Sequence, residues 1–199
     1  MTEAKPVTDA ERLSSSLGGR TKGRSRDDWL TPPRLLRQAF NWWHLNWDAA
    51  PFPRPPWDGL KTEWGSEDHP VRAFVNPPYG AAVPFWLEKG IEEVANGRAE
   101  IAVFLLNART DSSWFHEYIL GGAQELWFIK GRVSFRLPGA AKPEHPAFPS
   151  FLAAFYDNTD QYGNPDTNAI IGGSWSQDFG PMPAHKDHRA RRIDEGFEP

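Results

Sequence analysis

Apolar positions along the chain fall into runs of differing period, separated by polar, glycine-rich and proline-rich stretches. In "TPPRLLRQAFNWW", Leu35, Leu36, Ala39, Phe40 and Trp43 recur at helical spacing. This predicts a helix from about Pro32 to Trp43, with Thr31 as its N-cap and Pro32 in its first position. "LNWDA" predicts a short strand ending in Asp48. The next twenty or so residues, "PFPRPPWDGLKTEWGSEDHP", hold too many prolines for a regular element and make an unusually long loop, which hints at function. "VRAFV" predicts a buried strand running straight into Asn76, and Val83, Trp86, Leu87, Ile91 and Val94 then share one helical face ending near Gly97. "EIAVFLLN", ending at Asn107, is the continuous apolar run of a parallel strand covered on both faces. "SSWFHEYIL" predicts a helix closed by Gly121 and Gly122, with Asp111 ahead of it as a cap. "ELWFIKGRVSFRL" predicts a strand or strand pair, and "FPSFLAAFY" the last strand.

Strands alternating with helices, closed by a β-rich end, define an α/β class with a mostly parallel sheet and a late antiparallel hairpin. Ligands of such sheets sit at the carboxyl ends of strands. Asp48, Asn76 and Asn107 all fall at such ends, which predicts one shared cleft. Trp42, Trp43 and Trp47 are helix-spaced or strand-adjacent and are expected in the core. Three regions follow: a disordered basic arm over 1–26, a folded domain over 27–157, and a polar extension over 158–199.

A length of 199 residues suits one domain with a sizeable core. Neither a long apolar run nor a basic start with a hydrophobic stretch is present, so no membrane span or secretory leader is expected and the location is read as cytoplasmic. The absence of cysteine excludes disulfides, thiolate metal sites and cysteine nucleophiles. His185, Asp187 and His188 form a short tract without a second ligand cluster, and no metal is expected there. A net charge of −4 argues against a generally basic coat for nucleic acid, leaving local patches at Gly18–Arg26 and His188–Arg192.

"AFVNPPYGA" carries the candidate chemistry. The Asn76 side-chain oxygen and the Pro77 carbonyl are acceptors, Pro77 and Pro78 stiffen the backbone, and Tyr79 offers a flat face. A planar exocyclic amino group matches that set. Adenine N6 donates two N–H bonds, but its lone pair is delocalised into the ring. Accepting both protons in a fixed geometry localises the pair towards an electrophile, which is activation by position and electrostatics. No strong base is required, because the ammonium formed on alkylation loses its proton to water. Within a duplex the base must first be flipped out.

Asn76-Pro77-Pro78-Tyr79 resembles the [D/N/S]PP[Y/F/W] motif of amino-group methyltransferases. With "DDWLTPPRLL", the Asp48-Ala49 pair, "LLNARTDSSWFH", "KGRVSF" and "FPSFLAAF", the stretch from Asp27 to Tyr156 resembles the phage-type DNA N-6-adenine methyltransferase (Dam) family. The resemblance implies a Rossmann-like fold that uses S-adenosyl-L-methionine, with a shortened middle, acting on double-stranded DNA. It implies that Trp29, Thr31 and Pro32 pack on the methionine end of the cofactor, with Asp48, Ala49 and Asn76 nearby, and that Asn76, Pro77, Pro78 and Tyr79 handle the base. Asn107, Arg109 and Asp111 would face the same cleft, and Arg109 and Arg132 are candidates for phosphate contacts. No obligate protein partner is implied.

The chain departs from the wider class in one place. After the first strand, "WDAAPFP" has no glycine where many methyltransferases have a Gly-rich turn, and Asp58, Glu63, Glu67 and Asp68 remain alternatives for a ribose-binding acid. An NPPY site acting on RNA or on a protein glutamine, and a non-catalytic DNA-binding module of the same fold, stay open beside the DNA adenine reading.

Overall fold

The computed structural model describes residues 29–136, 139, 142 and 148–157, and the backbone of 171–176. Two helices are α1 (Pro33–Trp42) and α2 (Val83–Ala95), and a π-helical segment spans Phe115–Leu120. The strands are β1 (Trp47–Asp48), β2 (Val71–Val75), β3 (Ala99–Asn107), β4 (Glu125–Lys130), β5 (Ser150–Tyr156) and β6 (Ile171–Ser176). They form one mixed sheet in the order β1-β2-β3-β5-β4-β6. The first three strands are parallel, β5 is inserted antiparallel between β3 and β4, and β4 pairs in parallel with β6. Hence β4 runs in the same direction as β3, and their carboxyl ends share one edge of the sheet.

The expected α/β class and the antiparallel pairing of β4 with β5 are present. Four local details differ from the sequence reading. Helix α1 begins at Pro33, not Pro32: Pro32 is its N-cap, at φ −54° and ψ 129°, with no side-chain cap bond. The ring of Pro33 drives the residue before it out of helical space, so Thr31 is released from capping. The third helix ends at Gly121 and Gly122 as expected, but its middle, Phe115–Leu120, is wound as a π-helix. Asp111 does not cap that segment, whose N-cap is Trp114, and instead binds Arg109. Finally, β4 stops at Lys130, where Gly131 turns the chain at φ +82°, and beyond it Arg136 forms an isolated bridge with Leu30. The sequence reading assigned no element to residues 171–176, where β6 lies.

Apolar side chains cover both faces of the sheet. One face carries Leu35, Ala39 and Trp43 from α1 and its end against Phe74, Val103, Leu105, Leu152 and Phe135. The other carries α2 and the π-helical segment against Val75, Phe104, Leu106 and Phe151. Of the three tryptophans expected in the core, Trp43 is 1% exposed, while Trp42 and Trp47 are partly buried. Helix α2 comes close to the sheet at Gly90, where a Cβ would stand 2.5 Å from the Phe104 ring. One turn on, Glu93 is fully buried, accepting bonds from the Trp64 backbone N–H at 3.1 Å, from Arg98 Nε at 2.9 Å and from Lys89. That carboxylate pins the proline-rich loop to the helix.

Candidate active site

The structure brings Asp48, Asn76 and Asn107 to one edge. Asp48 ends β1, Asn76 follows β2 and Asn107 ends β3, on three neighbouring parallel strands. Because strand side chains alternate, Asn76 lies on the same face as Phe74, and Asn107 on the same face as Leu105. Both therefore point to the α1 side.

Asn76 is held from two directions. Its Nδ2 donates to Thr31 Oγ1 at 3.0 Å and to the Trp29 carbonyl at 3.4 Å, while its Oδ1 accepts the Tyr79 hydroxyl at 3.1 Å. A carboxamide has two donor hydrogens and two acceptor lone pairs. Both donors are used, and one lone pair of Oδ1 is left by these bonds. Burial pushes the Tyr79 phenol upward in pKa, so its hydroxyl remains a donor. The Tyr79 ring packs edge-on against Trp29 (6.2 Å) and Phe135 (6.1 Å), and Trp29 stacks on Phe135 at 5.2 Å. Pro77 is buried and Pro78 half-buried beside them.

The N-terminal segment reaches this site through its backbone. Leu30 N–H donates to the Arg136 carbonyl at 2.9 Å, which clips residues 29–31 to the loop carrying Phe135. Phe135, fully buried, is a site residue that the sequence reading quoted within "KGRVSF" but did not single out. Ser150 was also missed. It pairs with Asn107 across β3 and β5, and both Asn107 Oδ1 and Ser150 Oγ are buried without a hydrogen-bond partner among the described residues. No periodicity marks either residue, because the contacts joining them are long-range.

Around the end of β1, Asp48 Oδ1 accepts the Ala50 N–H at 3.0 Å. Burial raises the Asp48 pKa to about 6, against a smaller lowering by that backbone bond. Gly59, from the proline-rich loop, packs on Ala49 so closely that a Cβ would fall 2.2 Å from the Ala49 carbonyl oxygen. The close approach is made by a glycine ten residues downstream. Trp57 stacks on Trp47 at 5.4 Å beside it, which places Asp58 near the end of β1. Glu63, Glu67 and Asp68 lie exposed further along the loop.

The two arginines proposed for phosphate differ in setting. Arg109 is held by Asp111 through Nε at 3.0 Å and NH2 at 3.2 Å, and its guanidinium sits 4.7 Å from the Phe148 ring centre. Arg132 is exposed on the turn after β4, at the same edge of the sheet. Gly18–Arg26, His185, Asp187 and His188–Arg192 lie outside the described residues. No described helix is long and apolar enough to cross a membrane.

A mixed α/β sheet that presents Asn-Pro-Pro-Tyr at a strand's carboxyl end, beside a buried aspartate on the neighbouring strand, is an arrangement suited to amino-group chemistry. The model of the DNA N-6-adenine-methyltransferase (Dam) family matches residues 18–156, and the chain belongs to that family. Searches among curated proteins and among solved structures gave no match.

Proposed function

We propose that this protein transfers a methyl group from S-adenosyl-L-methionine to N6 of an adenine flipped out of double-stranded DNA. Its family is one of DNA adenine methyltransferases. The observation that carries the reading for this chain is the Asn76 carboxamide, with both Nδ2 hydrogens bound and Oδ1 retaining one acceptor position. One N6–H goes to that position and the other to the Pro77 carbonyl. This draws the nitrogen lone pair out of conjugation and aims it. Water takes the proton afterwards. Tyr79, with Trp29 and Phe135, forms the aromatic wall for the extruded base.

The residues at the end of β1 fit the cofactor. When bound, S-adenosyl-L-methionine supplies an electrophilic methyl on a sulfonium. Asp48 offers a carboxylate to its ammonium, Ala49 lies against the packed Gly59 backbone, and Asp58 is the acid for its ribose. The Trp29 Nε1–H is buried without a hydrogen-bond partner among the described residues and lies on the segment that leads through Pro32 into α1, so it is a donor for the methionine end. The sheet is read as a Rossmann-like methyltransferase sheet whose middle is shortened, with the irregular stretch between β1 and β2 replacing further crossovers. Arg109 and Arg132 contact phosphate, Arg109 by exchanging Asp111 for it.

The test is methylation of duplex DNA with labelled cofactor. Wild type incorporates label into adenine, Asn76→Ala loses about 100-fold or more, as for other preorganised polar groups, and Tyr79→Ala also falls. Equal incorporation by all three would remove these residues from the site. Competition by RNA or by a glutamine peptide that outpaces DNA would reassign the acceptor. Calorimetry that detects no S-adenosyl-L-methionine binding would favour a non-catalytic module.

A further inference from the structure

We propose that Thr31 is a positioning residue, whose hydroxyl holds the Asn76 carboxamide in the orientation that the Trp29 carbonyl selects. The proposal rests on the reading that Asn76 Oδ1 receives the target amino group, and it gives Thr31 a role other than cofactor contact. An asparagine side chain is nearly symmetric in shape, and only its hydrogen bonds separate the oxygen end from the amide end. If the group turns over, two N–H donors face the incoming amino group and the site repels its substrate. Nothing within Asn76 itself prevents that turn.

The N-terminal segment does prevent it. The Trp29 carbonyl is an acceptor only, and at 3.4 Å it selects Nδ2 over Oδ1. Thr31 Oγ1 makes the shorter bond, 3.0 Å, to the same nitrogen. Turning the carboxamide over would place Oδ1 against the Trp29 carbonyl, so that carbonyl makes one orientation the lower in energy, and the shorter Thr31 bond holds the group there. The hydroxyl is free for this because Pro32, not Thr31, holds the N-cap of α1 and caps it without a side-chain bond.

The segment is rigid enough for the purpose. Leu30 bridges Arg136 in both directions, at 2.9 and 3.4 Å, and the Trp29 ring stacks on Phe135. Proline at positions 32 and 33 restricts the backbone immediately after Thr31. The Tyr79 hydroxyl closes the arrangement on the far side by donating to Oδ1. The bonds thus run from the Tyr79 hydroxyl to Asn76 Oδ1 and from Asn76 Nδ2 to Thr31 Oγ1, so both ends of the carboxamide are held.

The experiment compares Thr31→Val, which keeps the shape and removes the hydroxyl, with Thr31→Ser, which keeps the hydroxyl. In single-turnover methylation of duplex DNA, Thr31→Val is expected to slow methyl transfer about 10–100-fold, in line with the cost of a misplaced reacting group. Thr31→Ser recovers most of that loss. Calorimetry should give S-adenosyl-L-methionine the same dissociation constant in wild type and Thr31→Val. A cofactor affinity that falls in proportion to the rate would make Thr31 a cofactor contact and overturn the proposal. So would a Thr31→Val rate equal to wild type.

A second readout does not depend on activity. The side-chain amide protons of Asn76, assigned by their loss in Asn76→Asp, should exchange slowly with solvent in wild type and at least 10-fold faster in Thr31→Val. Unchanged exchange would refute the hydrogen bond itself. A wild-type protein that shows this protection yet methylates no DNA would refute the proposed function while leaving the positioning role of Thr31 in place.

Discussion

Asp48 has an unusual affinity for its proton. Burial lifts its pKa to about 6, so it is ionised at pH 8 and largely neutral at pH 5. Its proposed partner, the cofactor ammonium, binds the ionised form. Protons therefore compete with the cofactor: affinity is nearly full above about pH 7, about half at pH 6 and lower below it, by about tenfold per pH unit in the limit. Calorimetric titration of S-adenosyl-L-methionine from pH 8 to pH 5 should show this fall. Asp48→Asn should bind weakly with a flat profile, and a wild-type affinity that stays constant to pH 5 would remove Asp48 from the ammonium site. At this scale the sequence was informative about identity and silent about state. Asp48 and Asn76 could be picked out from their places at strand ends. Neither the raised pKa nor the bonds to Trp29 and Thr31 could be, because both arise from groups that only the folded chain brings near, in the case of Asn76 and Thr31 across 45 residues.

Helix α2 was legible from the spacing of Val83, Trp86 and Leu87, all of them buried. Glu93 was not, since a glutamate near the end of an amphipathic helix reads as solvated. It is buried because its partners come from elsewhere: the Trp64 N–H from the loop before β2, Lys89 one turn back, and Arg98 just past the helix. Burial raises its pKa, but the bonds from Arg98, Lys89 and Trp64 more than offset this and hold the carboxyl below the ordinary glutamate value. Its contribution to stability is therefore present above the unfolded pKa, near 4.5, and is lost as pH falls below that. Glu93→Gln leaves two cations and an amide N–H underpaired. The expected cost is roughly 2–4 kcal/mol, somewhat under that of a fully buried pair because both cations keep some water contact. Urea unfolding at pH 7 measures it. The variant should also lose part of the wild-type drop in stability between pH 5 and pH 3, and a Glu93→Gln protein as stable as wild type at pH 7 would show the ion cluster to be incidental. The π-helical winding at Phe115–Leu120 had no counterpart in the sequence pattern, since Phe115 and Ile119 are compatible with an ordinary helix.

For the molecule as a whole, the α/β class and a mostly parallel sheet were readable from strand-like runs alternating with helical ones, while the order β1-β2-β3 came only with the structure. The insertion of β5 and the addition of β6 beside β4 are settled by pairings that no local pattern encodes. A basic segment lies just upstream of Trp29, and this bears on DNA binding. Trp29, the first described residue, accepts from Asn76 through its carbonyl and so lies at the candidate site. Arg20, Lys22, Arg24 and Arg26 precede it by only a few residues, and the family match, which starts at residue 18, takes them in. With a net charge of −4 overall, phosphate attraction must be local, and this segment supplies four cations close in sequence to the site. Each phosphate neutralised adds about 0.9 to the slope of log affinity against log salt. Replacing the four cations by glutamine should therefore weaken binding to a short duplex at low salt and reduce that slope by about 2–4, while leaving cofactor affinity alone. Fluorescence anisotropy across a salt series reads both. A slope unchanged by the substitutions would assign the phosphate contacts to Arg109, Arg132 and the rest of the sheet's carboxyl edge.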